Sequence, residues 1–143
     1  MTKKQYLVLV RHFHSLANAE TEKPAEGYFY KLSGSDRSVG LSPRGILQAP
    51  PAGDLLARLF PPDNPLDLVR VSQFFRTEDS AARIIERLLY NPEIVVNDKL
   101  NKRDYGIFWN MTYRGVEHLH PDQFSIYRDL GSLKYRPPEG ENY

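Results

Sequence analysis

Tyr6-Leu7-Val8-Leu9-Val10-Arg11-His12 runs from five apolar residues straight into a cation and an imidazole. A short, continuous, β-branch-rich run of this kind predicts a central parallel strand buried on both faces. Open α/β sheets bind their ligands at the carboxyl ends of such strands. Arg11 and His12 stand at that end, so the spacing places a guanidinium and an imidazole on a rigid support.

Working outward, Gly34 to Gly40 is polar and reads as a loop. Ser42-Pro43 starts a helix, with Ser at the N-cap and Pro in the first turn. Arg44 to Phe60 is helical in character, and Pro50-Pro51 inside it predicts a kink or a break into two pieces. Leu66 to Ser72 is a second strand. Thr77 to Tyr90 is the best helix, with Ala81, Ile84, Ile85, Leu88 and Leu89 on one apolar face, and Asn91-Pro92 stops it. Glu93 to Val96 is a third strand. Asn110 to His118 and Pro121 to Leu130 are short helices. Strands alternating with helices argue for an α/β fold around a mainly parallel sheet.

The second strand ends at Ser72, and Arg76 follows at the start of the strong helix. A helix N-terminus favours anions through its free N–H groups and macrodipole. Arginine holds phosphate oxygens in a bidentate fork. Two arginines and a histidine at neighbouring strand ends therefore suit phosphoryl transfer, with the guanidinium groups holding the anion and the imidazole attacking it.

Five motifs carry a family resemblance. Leu9-Val10-Arg11-His12-Phe13-His14-Ser15-Leu16-Ala17-Asn18 resembles L-V-R-H-G-E-S-x-x-N. Leu41-Ser42-Pro43-Arg44-Gly45 with Gln48-Ala49 resembles L-T-x-x-G-x-x-Q-A. Ser72 to Ala81 resembles S-x-x-x-R-[AT]-x-x-T-A, and Leu100-Asn101-Lys102-Arg103-Asp104-Tyr105-Gly106 resembles L-N-E-R-x-Y-G. Arg136-Pro137-Pro138-Glu139-Gly140-Glu141-Asn142 resembles R-P-P-x-G-E-S. In this order they are similar to the histidine phosphatase (phosphoglycerate-mutase-like) superfamily. The resemblance implies a three-layer α/β/α sandwich with a mostly parallel sheet. It implies His12 as the nucleophile that becomes phosphohistidine, with Arg11, Asn18 and Arg76 binding phosphate and Tyr105 at the substrate rim. It implies no metal and no cofactor, and a small phosphorylated metabolite or other phosphoester as partner.

Departures from the pattern set further expectations. Lys102 stands where the family carries its acidic proton donor, and reads as a solvated surface lysine. Phe13 and His14 replace a Gly and a Glu, and Phe13 is expected to narrow the approach to His12. The family's second phosphate-pocket histidine lies beyond the P-P-x-G-E motif, past Tyr143. Residues 1–143 thus read as one domain covering the N-terminal two-thirds of the family's, its C-terminal part absent, as a fragment or a shortened relative. An open sheet edge and an uncovered core face are then expected.

The function expected is a phosphomonoesterase acting through His12. The alternative is an impaired or inactive relative that binds phosphorylated ligands. Mutase-type phosphotransfer ranks lower, because Met111-Thr112-Tyr113 resembles the phosphatase-type M-T-Y and Tyr113 stands about where a mutase lysine would be. A metal-dependent hydrolase built on His12, His14, His118 and His120 ranks lower too, since i and i+2 do not share a helix face.

Composition sets the outer bounds. With 143 residues, 41% hydrophobic and 26% charged, the chain can bury a core. The absence of cysteine excludes disulfides, thiolate catalysis and Cys-ligated zinc. A net charge of +1 gives no reason to expect nucleic acid or an anionic membrane. The apolar run behind Met1-Thr2-Lys3-Lys4 is too short for a signal peptide, so a cytoplasmic protein is expected.

Overall fold

β-branched residues form a parallel pair of strands, β1 (Leu68–Val71) and β2 (Glu93–Val96), in register from Leu68 opposite Glu93 to Val71 opposite Val96. The computed structural model describes residues 5–142, so the Met1-Thr2-Lys3-Lys4 segment lies outside the described residues. Four helices of at least seven residues accompany the strands: α2 (Pro43–Leu59), α3 (Phe75–Ile85), α4 (Tyr113–Leu119) and α5 (Pro121–Leu130). A shorter helix, α1 (Leu16–Thr21), precedes them. Strand, helix, strand with parallel pairing is the α/β arrangement expected.

Residues 6–10 depart from expectation. They join no strand ladder, and their side chains are exposed, Leu7 and Leu9 each to 86%. The continuous apolar run encodes burial, but a strand also needs neighbours for its N–H and C=O groups. β1 gives one edge to β2, and no described strand lies on residues 6–10. The Tyr6 ring sits edge-on to Phe60 at 6.2 Å. Apolar surface is therefore exposed on the very segment read as the sheet centre.

α2 also differs from its reading, because it runs as one helix through Pro50-Pro51. Both prolines face solvent, where water can serve the carbonyls that lose their N–H partners. Ser42 caps the helix through a hydrogen bond from Gly45 N, with Pro43 in the first turn. The opposite face, Gly45, Ala49, Gly53 and Leu56, is buried, and α2 packs on α3. α3 ends at Ile85, short of the expected Tyr90. Beyond it the bonds tighten to the i→i+3 pattern, Arg87 N to Ile84 O and Leu88 N to Ile85 O. Ile84 and Leu88 join the core with Phe13, Leu41, Ala49, Leu56 and Phe60, whereas Leu89 is exposed.

The motifs lock to one another around the segment that follows Val10. Phe13 N donates to Ser80 Oγ at 3.0 Å, and Ser80 Oγ donates to Arg76 O. Ser42 N donates to His14 O at 2.9 Å, and Leu16 N to Gly40 O. Farther along, Ile107 N donates to Pro138 O and Glu141 N to Asp104 O. Arg103, buried, donates to the carbonyls of Ser132, Tyr135 and Glu141.

One tight junction is Gly45, where an added Cβ would lie 2.0 Å from His14 O. Backbone on both sides leaves no flexible atom to move. Gly45→Ala is therefore expected to cost about 3 kcal/mol by overpacking. Urea unfolding followed by circular dichroism measures it, and an unchanged midpoint would mean that α2 can shift freely.

Candidate active site

Both strands lead at their carboxyl ends into one cleft of about 800 Å³. Arg11, His12, Asn18, Arg76, Lys102 and Tyr105 all line it. The sequence reading named these six residues, which are spread over 95 positions (105 − 11 + 1), and the fold brings them to one surface.

His12 is half-buried beside three cations. Its Nδ1 lies 2.7 Å from Phe13 O. A carbonyl only accepts, so Nδ1 carries the proton and the neutral ring keeps its lone pair on Nε2. Burial lowers the His12 pKa below the ordinary 6.5. The Phe13 carbonyl opposes this, while Arg76, Arg11 and Lys102 add to the lowering. The neutral ring therefore dominates at pH 7. The His12 NMR titration should have its midpoint below 6.5, identified by the resonance missing from His12→Ala. The sign for stability follows: the contribution of the neutral ring is fully present above 6.5 and is lost as pH falls through the lowered value. A midpoint above 6.5 would show that a carboxylate, not the cations, governs the ring.

Arg76, the second residue of α3, is 5% exposed. Its guanidinium lies 4.3 Å from the centre of the Phe74 ring and donates from Nη1 to both Asp36 O (2.8 Å) and Asp36 Oδ1 (3.0 Å). The other oxygen of Asp36 lies 2.5 Å from Lys102 Nζ. Lys102 keeps 39% side-chain exposure, as a surface lysine does, but it is not free of partners. Its ammonium is ion-paired and stands over the Tyr105 ring at 4.8 Å and the Trp109 ring at 5.9 Å. Asp36 is the one carboxylate lining the cleft among the described residues. Sequence reasoning missed it, because the Gly34 to Gly40 loop carried no pattern beyond polarity. Its only signal was an acidic residue shortly before the Leu41-Ser42-Pro43 helix start.

Asn18 serves two purposes. Its Oδ1 accepts from Ser15 N and Ser15 Oγ, closing a capping box on α1. Its amide nitrogen is then what it can offer to an anion. Arg11 is exposed at the mouth.

The two residues that depart from the motif after His12 lie outside the cleft. Phe13 turns into the core and does not line the cleft, so it does not narrow the approach to His12. His14 is absent from the lining too, its Nε2 donating to Glu22 and its Nδ1 sharing a hydrogen bond with Ser42 Oγ. Asp104 Oδ1 accepts from Gly106 N. The metal reading loses its geometry: the His118 ring stacks on Tyr28, His120 packs beside Phe108, and no metal-holding group of three acidic or imidazole side chains forms among the described residues.

An α/β domain with a histidine and three cations gathered beyond its strand ends is the class of protein that fold and cleft define. The sequence profile of the histidine phosphatase superfamily (branch 1) matches residues 7–143, and the chain belongs to that superfamily. Solved structures agree in fold. A chain assigned as an alpha-ribazole-5'-P phosphatase from Escherichia coli K-12 superposes with a TM-score of 0.68 at 20% identity, over 93% of this chain and 57% of its own. A mycobacterial glucosyl-3-phosphoglycerate phosphatase in complex with VO3 superposes with a TM-score of 0.62 at 20% identity, over 92% of this chain and 54% of its own. The present chain thus spans little more than half the length of these proteins. No curated protein sequence matches it. No described helix is long and apolar enough to cross a membrane.

Proposed function

We propose that this chain is a phosphomonoesterase in which His12 Nε2 takes up the phosphoryl group. The observation that carries this is the Nδ1–H to Phe13 O bond, which sets the tautomer of a half-buried imidazole among Arg11, Arg76 and Lys102. In the reaction the Nε2 lone pair forms a bond to phosphorus while the ester P–O bond breaks and its electron pair leaves with the alcohol oxygen. Arg11, Arg76 and the Asn18 amide hold the remaining phosphate oxygens. The departing alcohol oxygen takes its proton from solvent. Water then attacks phosphorus, the P–Nε2 bond breaks with its electron pair returning to the ring, and the proton the water loses passes to solvent as orthophosphate leaves. Both structural neighbours above are named as phosphatases of phosphorylated small molecules, and a small phosphoester is the corresponding partner here.

A second reading rests on Asp36. With one oxygen on Arg76 and the other on Lys102, Asp36 occupies cations that a phosphate needs. That competition favours a catalytically impaired relative, in which the exposed Arg11 would still offer a cation to a phosphorylated ligand. One experiment separates the two. The protein is incubated with an aryl phosphate, and acid-labile, base-stable phosphoprotein is sought together with released phosphate. Both are expected, with the label on His12. Orthophosphate binding without label or release would leave the binding-only reading.

A further inference from the structure

We propose that the phosphoester this cleft takes is a small aryl ester, one whose leaving group is a phenol-like aromatic alcohol. This rests on the phosphomonoesterase reading of the same cleft and names its substrate class.

Two independent observations carry it. The first is the wall opposite the cations. A phosphoryl group fills a small part of about 800 Å³, which lies in the range of sites for whole organic ligands. Rings make up much of the rest, including Tyr30, Tyr105, Phe108, Trp109, Tyr113 and Tyr127, alongside aliphatic side chains such as Leu32 and Val116. Lys102 Nζ stands over the faces of Tyr105 and Trp109. Those faces are therefore turned toward the phosphate end, where a planar ring one bond from phosphorus would lie. Tyr113 is 59% exposed even while its ring meets Phe124 and Tyr127 edge-on, which leaves aromatic surface open to a ligand. Offset and edge-on packing favour an aromatic guest over an alkyl or polyol group.

The second observation is the chemistry of departure. An alkoxide leaves readily only if a neutral acid protonates it. Asp36, the one carboxylate lining the cleft among the described residues, is held by Arg76 and Lys102 as an ion pair. A phenolate, whose conjugate acid ionises at about 10, departs without that help. In the step proposed, Nε2–P forms, P–O(aryl) breaks, and the electron pair stays on the phenolate. The Lys102 ammonium stabilises that charge, and solvent supplies the proton.

Trp109 is the single tryptophan of the chain and sits in this wall, so its emission reports on the site. Phenyl phosphate, glycerol 2-phosphate and orthophosphate are titrated into the native protein, followed by Trp109 fluorescence and by calorimetry. Phenyl phosphate should bind at least tenfold more tightly than glycerol 2-phosphate and shift the emission. In Trp109→Leu, which keeps an apolar side chain in the wall, the calorimetric ratio should fall toward one. Equal affinities for the two esters, with orthophosphate still bound, overturn the aryl assignment and leave the phosphate site standing. Failure of all three to bind overturns both.

Discussion

Replacing His12 by alanine is expected to reduce aryl phosphate hydrolysis by at least about 10³-fold, since covalent catalysis loses its nucleophile. That factor corresponds to roughly 4 kcal/mol of barrier. No second group in the cleft can substitute. His14 is tied to Ser42 and Glu22, His118 stacks on Tyr28 and His120 packs beside Phe108, and the Lys102 ammonium has no lone pair while it is paired with Asp36. The variant should still fold. His12 is half-buried and makes one intramolecular hydrogen bond, to its neighbour's carbonyl, so about 1 kcal/mol of stability is at stake. Rates are compared at pH 7 on protein whose circular dichroism matches the native spectrum. A variant retaining a tenth or more of the native rate would sink phosphohistidine chemistry at this residue.

Arg76→Ala is expected to damage both stability and phosphate binding. The guanidinium is almost fully buried, stacks on Phe74, and ties α3 to the loop that carries Asp36. Breaking a fully buried ion pair typically costs about 3–5 kcal/mol, because a charge is stranded. Here the Asp36 side chain keeps 19% exposure and retains Lys102, so a cost of about 2 kcal/mol is expected from that scale. Orthophosphate affinity should fall by roughly 10²-fold as well, in line with the loss of one charged donor. Arg76→Lys separates the two effects. A point charge can meet Asp36, but it lacks the fork that binds two oxygens, so stability should recover further than affinity. Equal recovery of both would show that Arg76 contributes charge alone.

Much of the candidate site was legible because the relevant signals are local. An arginine and histidine directly after an apolar run, an arginine at the start of a helix, and Ser42-Pro43 at a cap each follow from a few adjacent residues. The β2 boundaries agree with the reading, since β-branched residues between Pro92 and Asn97 leave little choice. The family resemblance identified Asn18, Lys102 and Tyr105 as site positions, and the fold places all three in the cleft. It did not reveal that Lys102 would be ion-paired, because its partner comes from a loop 66 positions earlier (102 − 36).

The amino-acid sequence by itself determined that the chain is α/β, that Arg11 and His12 stand at the end of an apolar run, and that Arg76 stands at the start of a helix. Capping, turn chemistry and side-chain period act within a few residues, so they can be read along the chain. Tertiary structure alone decided which apolar run finds a ladder partner, leaving residues 6–10 outside the sheet while β1 and β2 pair. It also turned Phe13 into the core and set Asp36 between Arg76 and Lys102. Strand pairing and ion pairing depend on distances between remote segments, and composition does not encode those distances.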